Sequence, residues 1–477
     1  MKPGDIYDLT IEDLTVEGKG VARFEGIVVI VPDAVPGDAV RVKCSAMKKN
    51  YAEATLAAIL HASALRTVPR CRYFGTCGGC TRQHITYPGQ LALKRQHVAD
   101  ALERIGGFKG YAIPEVLEAA APYFYRNKME FSFGDRWRTR GEMERGPAGG
   151  LSDREENHPY ALGLHIPGRF DRVLDLEECW LQSQTSAHIV NVIREICFMS
   201  AIPVYSTHTH SGYLRNLVIR QSRHTGEIMV NLVTNEDRAE IMSAVVRRLL
   251  ESVPSITTIV NNINTRKSQV AIGERERVYY GSGTITERIG SRTYHISANS
   301  FFQTNTEQAE KLYDTAMNLA RLRSTDVVYD LYSGIGTIAL HIADHVRQVI
   351  GVEAVGQSVE DARRNASANS VTNCDFILGD LKDTLLSARR QGTPLPRPDV
   401  IIVDPPRPGL HEKVAGEICA MRPREIVYVS CNVATQARDL KIICQSSEYS
   451  IDGIQPVDMF PQTSHIENIV SLRRSGS

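Results

Sequence analysis

Charge of a dominant sign is the first thing missing from this chain. Its 55 Lys and Arg balance 55 Asp and Glu, so nothing global marks a nucleic-acid or membrane-surface binder. Any such surface has to come from local segregation of charge. Long apolar runs are missing too. No stretch approaches the length that spans a bilayer, which excludes a membrane protein of the helical kind. The opening MKPGDIYDLT has no apolar core of a secretory signal, so a cytoplasmic location is expected. There is no internal repeat and no low-complexity tract, which excludes a solenoid. The ten cysteines are scattered apart from one cluster. That pattern suits a metal site in a reducing compartment better than a disulfide scaffold. What is present is ordinary globular material, 42% apolar and 23% charged over 477 residues. Length alone suggests about three domains, and a monomer is the default expectation.

The first segment, residues 1–62, is a series of short strand-like runs. Ile6, Leu9, Ile11 and Leu14 lie in the first; Val21 to Phe24, Ile27 to Val31, Val40 to Val42 and Ala54 to Leu60 follow. Gly18, Gly20, Gly26, Pro32, Pro36 and Gly37 punctuate them at turns. Five short strands of this kind predict a small barrel of the OB type. Lys43, Lys48, Lys49 and Tyr51 give it a basic and aromatic corner suited to nucleic acid, although lysines also guard bare strand edges. The pattern VEGKGVARFEGIVVIVPDAVPGDAVRVK resembles the TRAM domain, an RNA-binding barrel.

Residues 63–292 read as a central α+β domain. Cys71, Cys77 and Cys80, with Gly75, Gly78 and Gly79 among them, are the most specific metal signal in the chain. Glycine lets the backbone wrap closely around a bound centre. A fourth ligand is needed, and Cys179 is the best candidate. All-thiolate ligation suits zinc or an iron–sulfur cluster; a single distant fourth Cys favours the cluster over zinc. Arg66, Arg70, Arg72, Arg82, Lys94 and Arg95 form a local basic excess able to meet phosphates. Residues 90–105 have helical spacing and are expected to dock on the next domain. From Pro122 to Gly134 aromatic and polar residues alternate, followed by Arg136, Arg138 and Arg140. This predicts either base-stacking rings or a half-buried strand. A mobile loop is expected over 141–158, a hairpin around Arg223 to Glu227, and helices near Ala187 to Phe198 and Arg238 to Leu250.

Residues 293–477 alternate strands with helices, which predicts a doubly wound, Rossmann-like α/β sheet. Asp330-Leu331-Tyr332-Ser333-Gly334-Ile335-Gly336-Thr337 is a strand running into a Gly-rich turn and a helix. The next strand ends in Glu353, where nucleotide-binding sheets place an acid against ribose hydroxyls. The third ends at Gly379-Asp380, with Asp380 placed to meet an adenine. A third, pyrophosphate-binding glycine is absent, which favours an adenosyl ligand without phosphates, S-adenosylmethionine. Two further apolar runs, Val400 to Val403 and Ile426 to Val429, stop at Asp404-Pro405-Pro406-Arg407 and at Ser430-Cys431-Asn432. Ligands bind beyond the carboxyl ends of such strands.

With Phe301-Phe302-Gln303-Thr304-Asn305 before them and His465-Ile466-Glu467 after, these motifs resemble, end to end, the S-adenosylmethionine-dependent RNA uracil-C5-methyltransferases. The nearest group is the ribosomal-RNA type with a 4Fe-4S cluster. The resemblance implies that Cys71, Cys77, Cys80 and Cys179 hold the cluster. It implies that Gln303, Tyr332, Glu353 and Asp404, with Gly334, Thr337 and Asp380 alongside, line the cofactor and base pocket, that Cys431 is the nucleophile and that Glu467 is the general base. The chemistry needs these types. C5 of uracil becomes nucleophilic only after a thiolate adds to C6. Charge on O4 wants a donor, for which Arg407 is a candidate. Asp404 suits the N3–H, and Phe302 is a candidate to stack on the flipped base, or else core. The expected partner is RNA, 23S rRNA ahead of tRNA. An amino-methyltransferase or a non-catalytic RNA-binding factor are the alternatives.

Overall fold

The computed structural model describes every residue except 16, 136–159, 269, 391–394, 446–447 and 477. Arg136, Arg138, Arg140 and the loop expected over 141–158 therefore lie outside the described residues.

The N-terminal strands form one sheet that closes on itself. Ile6–Thr10 pairs with Ala39–Met47 at one edge, and Asp13–Leu14 pairs with Gly20–Phe24 at the other. Only Ile11 and Glu12 separate those two edge pieces, so a single bent strand joins both edges into a barrel. Alternation does the packing. In Ala39–Met47, Val40, Val42 and Cys44 point into the core while Arg41 and Lys43 stay in solvent. Lys48, Lys49 and Tyr51 are exposed on the same corner.

A second sheet of seven strands carries the central region. The expected hairpin is there, with Leu214–Gln221 antiparallel to Ile228–Thr234. Helices Gln184–Met199 and Ala239–Ser252 occur where their periodicity predicted them and share the sheet's core through Ile189, Ile193, Met242 and Leu249. The aromatic alternation resolves as a half-buried strand. Lys128–Asp135 sends Met129, Phe131 and Phe133 into that core, so these rings are packing residues and not a stacking surface. The helix expected near 90–105 runs over Tyr87–Asp100 and continues as a wider turn through Ala101–Gly106. Val98, Ala101 and Leu102 pack with Ala437 and Leu440 of the C-terminal domain, so it docks there.

The C-terminal sheet also has seven strands. Their spatial order is Cys374–Leu378, Gln348–Glu353, Val327–Leu331, Val400–Val403, Glu425–Ser430, Glu467–Arg474 and Tyr449–Val457. All neighbours are parallel except those of Glu467–Arg474. The chain order reverses between Val327–Leu331 and Val400–Val403, which sets the ligand crevice of an open α/β sheet at those strand ends. The strands flanking this point are buried on both faces, which is why they read as unbroken apolar runs. A hairpin, Thr284–Ile289 with Arg292–Ser297, covers one face and adds Ile285, Ile289 and Ile296 to the same core. A domain boundary at 292/293 divides this hairpin; both its strands pack with the C-terminal domain.

Candidate active site

Three polar groups meet at one edge of the C-terminal sheet because of strand direction. Val400–Val403 and Glu425–Ser430 run in parallel, so Asp404 and Cys431 emerge side by side. Glu467–Arg474 runs the other way, and Asn468 pairs with Ser430. Its first residue, Glu467, therefore arrives at the edge where its neighbour's last residue leaves. Two loops are stitched together there. The Arg407 carbonyl accepts from Asn432 Nδ2 and from Thr435 Oγ1, both at 3.2 Å. Asn432 also caps the next helix, its Oδ1 accepting from the Ala434 N–H at 3.1 Å. Cys431 is thus held at a strand-to-helix turn that cannot drift from Arg407.

The electrostatics are dominated by burial and by acids that repel one another. Burial pushes the Cys431 thiol up to about 11, with Glu467 and Asp404 adding to the rise and Arg407 opposing it. Burial raises Asp404 to about 7. Glu467 is 3% exposed and lies well above the usual carboxylate range, through burial first and the Asp404 charge second, again opposed by Arg407. Its Oε2 has no hydrogen-bond partner among the described residues. Arg407 Nη2 reaches the His465 ring at 3.2 Å, and burial followed by the Arg407 charge brings His465 down to about 4. Burial and mutual repulsion thus disfavour each negative charge here, and one guanidinium at the rim opposes them.

A further acid belongs to this group and was not among the expected site residues. Asp330 is fully buried, its Oδ2 accepts from the Ala339 N–H at 3.0 Å, and its Oδ1 has no partner among the described residues. Burial and then the Asp404 charge lift it to about 8. An acid inside a five-residue strand of otherwise apolar and aromatic residues was the available signal.

The adjoining crevice is formed by strand ends in register, Leu331 beside Val352 and Glu353 beside Leu378. Glu353 organises it, Oε2 accepting from the Gly334 N–H at 3.0 Å and Oε1 from the Val355 N–H at 2.9 Å. The turn requires left-handed backbone at Tyr332 (φ 65), Gly334 (φ 54) and Gly336 (φ 82). A side chain on Gly336 would strike Phe376 at 2.8 Å, whereas one on Gly334 would meet nothing within 4 Å. The turn therefore leaves open space at Gly334, beside the Glu353 carboxylate. Tyr332 is half-buried at the turn, its phenol raised by burial and by the Asp380 charge. Asp380 itself is exposed and its carboxylate accepts from the Lys382 N–H at 2.8 Å, capping the next helix. Thr337 is turned inward, its Oγ1 accepting from Tyr313 at 3.2 Å.

The segment 301–305 needs one correction. Phe302 is 3% exposed and packs on Tyr294, so it is core and cannot stack on a substrate base. The exposed ring is Phe301, at 66%. Gln303 is buried, and its carbonyl accepts from Asn127 Nδ2 at 2.8 Å, tying this segment to the central domain.

The expected ligand thiols do converge. Cys71, Cys77, Cys80 and Cys179 line a single cavity with Tyr73 and Trp180 among its walls. Burial raises all four, Cys77 and Cys80 to about 12. Backbone N–H groups point at the sulfurs: Gly79 at Cys77 from 3.4 Å, Tyr73 and Phe74 at Cys71, Leu181 and Gln182 at Cys179. Such donors stabilise thiolates held by a cation. Among the described residues no three His, Cys, Asp or Glu side chains are arranged to hold a metal ion. The sulfurs share one cavity but are not gathered into the shell of one ion.

Comparison with known proteins places this geometry in context. A family model described as tRNA (Uracil-5-)-methyltransferase matches residues 222–475, and a TRAM domain model matches residues 1–57. The chain is 41% identical to an uncharacterized RNA methyltransferase of Chlorobaculum tepidum, over 99% of this chain and 97% of that protein. It is 40% identical to another from Bacteroides thetaiotaomicron, over 96% and 99%. Among solved structures, the Pyrococcus abyssi tRNA (uracil-54, C5)-methyltransferase in complex with S-adenosyl-L-homocysteine is similar at a TM-score of 0.73 and 29% identity, over 98% of this chain and 99% of that one.

Proposed function

The chain belongs to the tRNA (uracil-5-)-methyltransferase family, and on that premise we propose that it methylates C5 of a uridine in RNA, with 23S ribosomal RNA as its target, through a covalent adduct on Cys431. The observation that carries the reading is the meeting of Cys431, Glu467, Asp404 and Arg407 at adjacent strand ends. S-adenosylmethionine, bound in the crevice of Gly334 and Glu353, supplies an electrophilic methyl group. The protein supplies everything else. The Cys431 thiolate adds to C6, and the π pair moves onto C5 and O4 as an enolate, with Arg407 as the cation that answers the charge on O4. Asp404 accepts from N3–H and fixes the base. Once the enolate pair has gone into the new C5–CH3 bond and S-adenosylhomocysteine is released, the C5 proton passes to Glu467, the C5–H pair forms C5=C6 and the thiolate leaves. With the thiol near 11, only about one site in 10⁴ holds thiolate at pH 7.

Cys71, Cys77, Cys80 and Cys179 are the ligands of a 4Fe-4S cluster in this reading, and its role is structural. Four cysteines lining one cavity, with backbone N–H groups at three of their sulfurs, support this reading. The exposed Lys43, Lys48, Lys49 and Tyr51 of the TRAM barrel are its RNA-facing corner. No helix among the described residues is long and apolar enough to cross a membrane.

A tRNA target is the second reading, favoured by the Pyrococcus neighbour, whose substrate is tRNA and whose architecture matches nearly the whole chain. The test is tritium release from C5-labelled, unmodified 23S rRNA and, separately, tRNA, with wild type and Cys431→Ala. Cofactor-dependent release lost in the variant establishes the reaction, and the responding RNA names the substrate. No release from either sinks the proposal.

A further inference from the structure

Glu467 is reached through a segment, Asp458 to His465, that two domains hold. Its own domain bonds the two ends: the Asp458 carbonyl accepts from Gln308 Nε2 and the Met459 carbonyl from Asn305 Nδ2, both at 3.2 Å, and His465 meets Arg407. Most of its other fixed points come from residues 81 to 125. Asp458 Oδ1 accepts from Lys94 Nζ at 2.6 Å and Oδ2 from Tyr87 at 3.0 Å. The Phe460 carbonyl accepts from Lys94 Nζ at 3.0 Å and the Pro461 carbonyl from Tyr125 at 3.0 Å. The Gln462 N–H donates to Gln90 Oε1 at 3.0 Å, and Gln90 Nε2 donates back to Gln462 Oε1 and to the Arg82 carbonyl, both at 3.0 Å.

The closest tie is to the residue after a cluster cysteine. The N–H groups of Thr81 and Arg82 both donate to the Gln462 carbonyl at 3.0 Å. The Ser464 N–H donates to Thr81 Oγ1 at 3.1 Å. Thr81 follows Cys80 directly in the chain. Gln462 sits at φ 68, a left-handed backbone that a non-glycine residue keeps only when its surroundings over-determine it. Thr81 also abuts the TRAM barrel, since a side chain on Gly18 would meet its carbonyl at 3.3 Å. Three parts of the molecule meet at this one threonine.

We propose that Thr81 and Gln462 are positioning residues for proton removal, transmitting the placement of the four-thiol loop to Glu467. The inference rests on the proposed roles of Cys431 and Glu467. The thiol loop then does more than stabilise the central domain: it fixes one end of the strand that carries the base. Addition of Cys431 to C6 and methylation of C5 depend on the neighbouring strand ends, which Thr81 does not touch. The tie reaches the site chiefly through Glu467 and, by way of His465, also touches Arg407 at the rim, so transfer of the C5 proton is the step that depends on it most.

The test separates the two steps in the full-length protein with its metal centre filled. Thr81→Val keeps the shape and removes the acceptor for the Ser464 N–H; Thr81→Ser restores it; Gln462→Ala removes the amide clasp. Quench-flow with C5-tritiated RNA reads tritium release, and gel mobility reads the covalent complex. A misplacement of about 1 Å costs about 10²-fold in a positioned step. Expected for Thr81→Val and Gln462→Ala is a 10- to 100-fold slowing of tritium release at that order of magnitude, with the covalent complex accumulating. Metal content, the absorption of the centre and adduct formation on 5-fluorouracil RNA should match wild type, and Thr81→Ser should be rescued. Equal slowing of adduct formation and release, or no slowing of either, overturns the proposal. So does loss of the metal centre in both Thr81→Val and Gln462→Ala. Glu467→Gln is the control: if it fails to accumulate the complex, the base assignment itself is wrong; if it accumulates and Thr81→Val does not, only the coupling is wrong.

Discussion

Two thiol sites in this molecule start from the same physical condition, and in the proposed function they serve opposite ends. Burial first, and neighbouring negative groups after it, lift Cys431 to about 11 and Cys77 and Cys80 to about 12, so neither site favours thiolate by itself. Their surroundings differ. Around Cys431 stand two acids and one exposed arginine, charges that a substrate base can separate or recruit. Around Cys71, Cys77, Cys80 and Cys179 stand backbone N–H groups and mainly apolar or aromatic walls, with Glu178 and Gln83 as the polar side chains of the lining and the Arg126 charge acting on Cys179. Fixed backbone dipoles suit a permanent anion held by metal, whereas mobile and titratable charges suit a thiolate that must form, bond and leave. A raised thiol pKa therefore does not distinguish nucleophile from ligand; the chemistry of the neighbours does.

The hardest test of that contrast is a crossed pair of substitutions. Cys431→Ala should abolish turnover and the covalent complex while leaving metal content and absorption of the other centre at wild-type values. Cys77→Ser should do the reverse, lowering bound iron while still forming an adduct on 5-fluorouracil RNA. Metal loss in Cys431→Ala, or failure of both chemistries in Cys77→Ser, would erase the distinction.

Next in size is Glu467→Gln, which keeps volume and removes the base. A positioned base is worth about 10²–10⁴-fold, and C5 tritium release should slow by that factor while the complex with Cys431 builds up. Unchanged release would show that the proton leaves by another route.

The smallest effect sharpens the acid side. Asp404 rises from 3.8 to about 7 on folding, so between those values the folded protein binds a proton that the unfolded chain does not. Its contribution to stability is intact below pH 3.8 and is lost as pH climbs through 7. Asp404→Asn escapes that loss. Chemical denaturation should show the variant gaining on wild type as pH rises from about 4 to about 7. A gain that runs the other way would mean the carboxyl is ion-paired in the fold.

Much of the catalytic domain was legible because its strands are buried on both faces and read as unbroken apolar runs ending in chemistry. The chain shows Val400 to Val403 stopping at Asp404 and Ile426 to Val429 stopping short of Cys431, and parallel neighbours must then bring those ends together. The barrel was legible from short alternating strands, and Cys71, Cys77 and Cys80 from their spacing, with Cys179 the best candidate for a fourth ligand. The adjacent rings of Phe301 and Phe302 were not. Both are the same residue, and only packing against Tyr294 decides that Phe302 is inside and Phe301 outside. Asp330 carries no sequence mark of being unpaired; its fate follows from Ala339 satisfying one oxygen and leaving the other.

What the sequence determined by itself was therefore local and periodic: strands, helices, turns, the residue types at strand ends and the family they resemble. Tertiary structure alone decided which groups separated along the chain touch. Thr81 and Ser464 are 383 positions apart and share a hydrogen bond. Lys94 and Asp458 are 364 apart and form a fully buried ion pair. Neither partner has a local pattern that names the other, because a single polar contact between distant segments is set by how whole domains pack and not by the periodicity of either segment.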